Sequence, residues 1–404
     1  LFLFDENQCL GHWITMHLAI DASNIRQGGG LTHLSQVLRV ADPPSLGIQK
    51  VSVWVNSSVA AILPSRPWLT IYSANWMDGS LPVRAVGQQF RLPTEFRKAA
   101  CDLLLSPGGS LSFSQSLPAV TISQNMLPFE PHERRRFPLG LTRGKLKLLE
   151  MSQRRSFQRS SGIIFLSDYA KSQLTTQLHL ANIPAAIIPH GIEDRFRMAP
   201  RQQRALAECS AAKPFRLLYV SIAMPYKHQI EVALAVHRLV QQGIPISIEF
   251  VGQSWGQYGD ALSDKLKELD PECRYLIWRG EKPFLELHED YRSADAFVFA
   301  SSCENLPNIL IEAMSAGLPC ACANKGPMPE VLKAGGVYFD PENIDSIAST
   351  ITHLAEDDAL RSHLADRVYG YSQKYSWEVC AHDTFEFLAQ VGRDVLKNSN
   401  KGQG

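Results

Sequence analysis

Long apolar runs are missing from this 404-residue chain. No stretch reaches the eighteen or so apolar residues that mark a membrane-spanning helix. A basic segment leading into an apolar core is also missing from the N-terminus, which argues against a secretory signal. An excess of either charge is absent too: Lys and Arg total 40, as do Asp and Glu. Nucleic acid is therefore not an expected partner, and electrostatic partners must be sought in local clusters. The eight cysteines form no CxxC pair. Cys320-Ala-Cys322 has no Cys/His cluster beside it and reads as part of a buried strand. That cysteine usage fits a reduced, cytoplasmic compartment. Neither GxGxxG nor DxD occurs, which weakens a dehydrogenase reading and a carboxylate-held metal.

What is present is enough chain for two domains. Residues 1–15 read as an extension ahead of a start at Met16. From there short apolar stretches alternate with longer amphipathic ones, as parallel sheets wrapped by helices require. Strands are expected at 17–22, 50–55, 101–106, 119–123, 162–167 and 185–189. After a polar, proline-punctuated stretch they resume at 215–222, 246–252, 274–280, 296–301, 319–323 and 336–340. The expected division is a first domain over 16–192, a linker over 193–214, a second domain over 215–375 and a C-terminal segment over 376–404. The fold class is α/β, with two doubly wound Rossmann-like domains facing across a cleft.

Open α/β sheets bind ligands beyond the carboxyl ends of their strands, and the unusual residues fall in those loops. Gly28, Gly29 and Gly30 follow the first strand and precede a helix, where backbone can approach a ligand closely. Lys227 follows the first strand of the second domain, where a cation can pair with phosphate. In "SCENLPNILIEAMSAG" (302–317), Glu304 sits in a loop and Glu312 on the apolar helix that Pro307 opens. Free amides at that helix start can hold an anion. Glu312 stands among Ile311, Ala313 and Met314, where an unpaired carboxylate is costly and a ligand gives it a reason.

On these residues the sequence resembles the family-4 retaining glycosyltransferases of GT-B fold (glycosyl transferases group 1). The likeness runs over most of 16–395 and is most specific at Glu304…Glu312, "GLPCACANKGPMPEVL" (317–332) and "GGVYFDPEN" (335–343). The resemblance implies a nucleotide-diphosphate sugar as donor, no cofactor and no metal, and a C-terminal helix crossing back to the first domain. It implies that Glu304 contacts the transferred sugar and Glu312 the ribose. Asn305, Leu306, Pro307 and Asn308, with Lys227, would hold the diphosphate. Arg279, Gly280 and Lys282 would lie near the base, and Gly28–Gly30 would close over the sugar. The sequence departs from the family twice. Ser221-Ile222-Ala223 stands where an Arg is common, so either another cation such as Arg279 substitutes or phosphate binding is weaker. Gln124, beside Asn125, stands where a His is common, so a sugar-side role falls to an amide. His190 is expected to be structural.

Residues 131–161 read mostly as one long basic helix, with nine basic residues between Arg134 and Arg159 and one acidic residue, Glu150. An anionic membrane surface or a lipid-diphosphate acceptor is the expected partner there. The leading expectation is transfer of a hexose, mannose by preference, to a glycan or lipid-linked acceptor in bacterial surface polysaccharide synthesis, at the inner face of the plasma membrane. A nucleotide-sugar epimerase or hydrolase on the same frame, and a non-catalytic sugar-nucleotide-binding protein, stand as alternatives.

Overall fold

The protein is described by a computed structural model over residues 15–401. Of the expected extension over 1–15, only Thr15 falls among the described residues. Two parallel sheets organise the chain. The first contains β1 (Met16–Asp21), β2 (Ile48–Trp54), β3 (Leu69–Tyr72), β4 (Leu103–Ser106), β5 (Ala119–Ser123), β6 (Gly162–Phe165) and β7 (Ala185–Ile187). Its spatial order is β3-β2-β1-β4-β5-β6-β7. The second contains β8 (Phe215–Val220), β9 (Ile246–Val251), β10 (Leu276–Gly280), β11 (Ala296–Phe299), β12 (Cys320–Ala323) and β13 (Gly336–Phe339), in the order β10-β9-β8-β11-β12-β13. Each sheet reverses its winding beside its first strand, at β1/β4 and at β8/β11. Such switch points are where doubly wound sheets form ligand crevices.

The central strands are apolar because helical connections cover both faces of a parallel sheet. Every residue of β4, β5, β11 and β12 is buried, Cys320 and Cys322 included. Twelve of the strands coincide with the sequence reading, whereas β3 was not expected. It is a four-residue edge strand on β2 whose residues are only half-buried, and Tyr72 stacks on Trp54 with ring centroids 4.8 Å apart. A partner ring on another strand leaves no alternation in β3 itself to read.

The basic stretch is also different from its expectation. It forms two helices, Pro131–Arg135 and Leu141–Gln158. The break spans Pro138 and Gly140, and Gly140 holds φ 152°.

At the other end, the helix Trp377–Lys401 returns to the first domain and packs on the helix Gly29–Val40. Its close seat depends on small residues. A Cβ on Gly191 would meet the Trp377 backbone nitrogen at 2.2 Å.

Candidate functional site

A cavity of about 420 Å³ opens between the two sheets. The first domain contributes Gly28, Gly29 and Thr32, and the second contributes Glu304, Leu306, Asn308 and Glu312. Gly28 begins the loop at φ 72°, a left-handed conformation that glycine adopts without strain. A Cβ on Gly29 would sit 3.8 Å from the Asn308 amide nitrogen, so the glycine loop faces the Asn308 helix across the cleft.

The Glu304 loop leaves β11 at the second sheet's switch point. Lys227, in the 3₁₀ turn Pro225–Lys227 after β8, is buried and pairs its Nζ with Glu304 Oε1. The ammonium also lies 5.2 Å and 5.3 Å from the ring centres of Tyr226 and Phe299. A cation so placed, with low-dielectric walls, acts strongly on an anion entering beside Glu304.

Glu312 is buried on the helix Asn308–Ser315 and lines the same cavity. Tyr291 donates a hydrogen bond to its Oε2 at 2.8 Å, so the carboxylate has a protein partner as well as a face toward the cavity. Burial pushes its pKa up to about 7, while the Tyr291 hydrogen bond and the Arg195 charge pull it down.

Several expected residues lie one layer back. Asn305 fastens the domains together. Its Nδ2 donates to the Ser123 carbonyl at 3.0 Å, and its carbonyl accepts from Ser167 Oγ at 2.7 Å. Pro307 is the N-cap of the Asn308 helix and is buried. Gln124 reaches the glycine loop, where a Cβ on Gly30 would come within 3.2 Å of its side-chain oxygen, and its Nε2 is buried without a hydrogen-bond partner.

The residues expected near the base do not line this cavity. Arg279 is exposed and pairs with Glu249 at 2.9 Å, and Lys282 pairs with Asp290, both by the end of β10 near Gly280.

The cation the sequence reading missed is Arg195. It lies in the stretch read as linker, pairs with Glu193 at 2.8 Å and stacks 4.4 Å over the Phe284 ring. Glu193, Phe196, Phe284 and Trp377 complete the cavity wall. Glu193 follows the last strand of the first sheet, so the carboxyl-edge rule that found the other loops would have reached it.

His190 is more than a remote structural residue. Its Nδ1 accepts from Asn308 Nδ2 at 3.1 Å, and its ring stacks on both His33 (centroids 4.6 Å) and Trp377 (5.8 Å), which lie 6.2 Å from each other. Burial holds the His33 pKa down to about 4 and His190 well below its usual value, so both rings are neutral at pH 7. None of the cavity residues forms a group able to share an ion. Among the described residues such a group occurs at His382, Asp383 and Glu386, on the C-terminal helix.

Residues 207–370 match the glycosyl transferases group 1 family. The chain is 25% identical over 248 residues to O-antigen chain mannosyltransferase B of Escherichia coli, covering 59% of this chain and 63% of that protein. It is 25% identical over 252 residues to a GDP-mannose-dependent alpha-(1-6)-phosphatidylinositol monomannoside mannosyltransferase of Mycobacterium tuberculosis, covering 56% and 61%. The chain thus spans a little under two thirds of the length of each of these relatives. Among solved structures, HepE of Anabaena in complex with UDP and glucose superposes with a TM-score of 0.63 at 16% identity, over 96% of this chain and 100% of that one. Sucrose-phosphate synthase of Thermosynechococcus elongatus superposes with 0.72 at 15%, over 95% and 100%. The two-sheet fold is shared along nearly the whole length, so the chain has the GT-B fold, and its second domain, over residues 207–370, matches the glycosyl transferases group 1 family.

Proposed function

We propose that the protein is a retaining glycosyltransferase that moves a hexose, mannose in our reading, from a nucleotide-diphosphate sugar to a hydroxyl of a glycan or lipid-linked acceptor. The observation that carries this is the convergence of Glu304, Glu312, Asn308 and the Gly28–Gly29 loop on one cavity, with Lys227 bonded behind Glu304. The names of the two mannosyltransferase relatives support the choice of sugar, and O-antigen synthesis in one of them supports a surface-polysaccharide setting.

In this reading Glu312 accepts hydrogen bonds from the ribose hydroxyls. The amides at the start of the Asn308 helix and Lys227 bind the diphosphate, and Lys227 exchanges the Glu304 carboxylate for a phosphate oxygen. Glu304, so released, accepts from hydroxyls of the transferred sugar. The bond from the sugar C1 to the phosphate oxygen breaks and one from C1 to the acceptor oxygen forms on the same face. The acceptor's hydroxyl proton leaves on the departing phosphate. Charge developing on that phosphate is offset by Lys227 and the helix amides, with no metal in the scheme. The exposed face of the helix Leu141–Gln158 docks on an anionic membrane, which brings a lipid-linked acceptor to the first domain.

A thermal-shift titration against GDP, UDP, dTDP and ADP and their sugar conjugates, run with and without divalent metal, tests this. One nucleotide at about 100 times its dissociation constant should stabilise the fold by about 2.7 kcal/mol, and Glu312→Ala should remove the response. Glu304→Ala should keep nucleotide binding and lose transfer. Silence toward every nucleotide would sink the reading. Full turnover of the sugar nucleotide with no acceptor present would favour a hydrolase or epimerase.

A further inference from the structure

Lys227 and Glu304 stand on two separate loops, and the ion pair between them is not the only tie that joins those loops. Lys227 ends the 3₁₀ turn Pro225–Lys227, and His228 follows it as the N-cap of the helix Gln229–Gln241. His228 holds φ 52° and ψ 33°, the left-handed region that a residue bearing a Cβ enters at a cost and glycine enters freely. Its side chain is fully buried. Glycine would meet the backbone demand of this turn without strain, so the reason for a histidine lies in its ring.

The ring reaches the other loop. His228 Nε2 lies 3.1 Å from the Oγ of Ser302, two residues before Glu304. Ser302 Oγ has two further neighbours, Glu133 Oε2 of the first domain at 2.6 Å and the Tyr226 carbonyl at 3.3 Å. Burial alone would raise the Glu133 pKa, but hydrogen bonds from Ser302, Arg136 and His132 and the Arg136 charge outweigh it and hold the carboxyl below its usual value. An ionised carboxylate and a carbonyl can only accept. The single Ser302 proton therefore goes to Glu133, the closer and charged acceptor, and the bond to His228 requires a proton on Nε2. The result is a directed chain, from His228 Nε2–H to Ser302 Oγ–H to the Glu133 carboxylate. Arg136 anchors its far end, donating from Nε to Glu133 at 2.7 Å and pairing with Glu342 of the second domain. His228 Nδ1 is buried with no hydrogen-bond partner among the described residues, and Glu231 Oε1 stands 3.6 Å from it. The one hydrogen bond of the ring is thus the bond to the Glu304 loop.

Donor binding gives that bond a use. In the transferase reading, on which this inference rests, Lys227 leaves Glu304 for a phosphate oxygen, and the ion pair between the loops is broken. The Ser302 amide, which donates to the Tyr226 carbonyl at 2.9 Å, and the His228–Ser302 bond still span them. We propose that His228 and Ser302 are positioning residues: their hydrogen bond, fixed in direction by Glu133, keeps Lys227 and Glu304 in register while Lys227 holds the diphosphate and Glu304 the sugar. Neither side chain lines the cavity, so neither touches the reacting atoms.

Nitrogen-15 NMR of the full chain with labelled histidine reads the chain itself. The His228 signal, assigned by its loss in His228→Leu, should report a protonated Nε2 and should shift in Ser302→Ala. A bare Nε2, or a signal indifferent to Ser302→Ala, would overturn the chain. Calorimetric titration with UDP, GDP, dTDP and ADP reads its use. His228→Leu and Ser302→Ala should each weaken the nucleotide that the wild type binds about tenfold, the worth of one buried hydrogen bond. The double variant should be no weaker than the singles, because both break the same bond. His228→Gln, whose side-chain nitrogen takes the place of Nε2, should restore most of the affinity. Additive losses in the double variant, or a His228→Gln as weak as His228→Leu, would mean packing alone and overturn the positioning role. Unaltered affinity in both single variants would overturn it and leave the transferase reading in place. A wild type blind to all four nucleotides would take the transferase reading and this role down together.

Discussion

At the scale of single residues, Glu312 carries the clearest consequence. In the unfolded chain its carboxyl titrates near 4.5, and burial moves it to about 7 in the folded protein. Between those values the folded state holds a proton that the unfolded state has lost, so stability falls as pH rises, and the whole penalty is present above pH 7. It amounts to roughly 3 kcal/mol. Glu312→Gln keeps an acceptor for the Tyr291 hydroxyl and has no charge to bury. Its stability should match the wild type below pH 4.5 and exceed it by roughly 3 kcal/mol above pH 7, as read by urea unfolding across that range. A difference that does not change with pH would refute the buried-carboxylate account. Nucleotide affinity should rise through the same window in the wild type alone, because the ionised carboxylate is the better acceptor for ribose hydroxyls. Gly191 makes a steric prediction: its missing Cβ makes room for the Trp377 backbone. Gly191→Ala should cost about 1–3 kcal/mol or more, seen as a lower melting temperature and weaker nucleotide binding together.

At the scale of elements, the helix Leu141–Gln158 and the turn before it present an apolar surface to solvent. Leu139 and Leu141 are 88% and 83% exposed, and Leu148 and Met151 stand beside them at 67% and 57%. Much of the nearby positive charge is internal to the fold. Arg134, Lys147 and Arg154 share Glu150 at 2.6, 2.9 and 3.6 Å, and Arg136 pairs with Glu133 and Glu342. Arg135, Lys145, Arg155 and Arg159 are exposed and share no ion pair among the described residues, and Arg135 and Lys145 are the two of these nearest the exposed Leu139 and Leu141 in the chain. Sedimentation with phosphatidylglycerol vesicles at low salt should retain the wild type. Arg135→Glu with Lys145→Glu should weaken retention at least thirtyfold, at about 1 kcal/mol per basic residue removed. Leu139→Ser with Leu141→Ser should weaken it without changing the melting temperature. Retention unaltered in both double variants would remove the membrane from the reading.

At the scale of the whole molecule, the domains are tied by polar contacts between side chains and backbone of the two sheets' loops and helices. Glu330 of the second domain accepts from the Asp168 and Tyr169 amides at 2.9 and 2.8 Å, capping the helix Asp168–Leu178 of the first. Ser302 donates to Glu133 at 2.6 Å, and the Asn305 and Asn308 bonds reach Ser123 and His190. Glu330→Ala leaves two helix-terminal amides without that partner, at a cost of about 1 kcal/mol, borne by the closed arrangement and not by either domain. Small-angle scattering should show a larger radius of gyration in the variant, restored by saturating nucleotide sugar. A radius unchanged from wild type would mean that Glu330 does not hold the domains.

The repeating apolar strands and the loops at their carboxyl ends were legible in the chain because each is a local pattern. A buried parallel strand must be apolar along its length, and Gly28, Lys227, Glu304 and Glu312 each break their local pattern in a loop or on an apolar helix. Contacts set by partners distant in the chain were not legible. The edge strand β3 depends on β2 and on the Trp54 ring. The break after Arg135 is a different case, since Pro138 and Gly140 are local helix breakers that the sequence does display. Glu193 and Trp377 line the cavity between the sheets only because a stretch with no strand signal and the C-terminal helix fold back beside it. The amino-acid sequence by itself determined two doubly wound sheets and most of the loops that meet between them. Tertiary structure alone decided how the cations pair, spending Arg279 on Glu249 and setting Arg195 against Glu193 and the Phe284 ring, because such contacts are settled by distance in space and not by position along the chain.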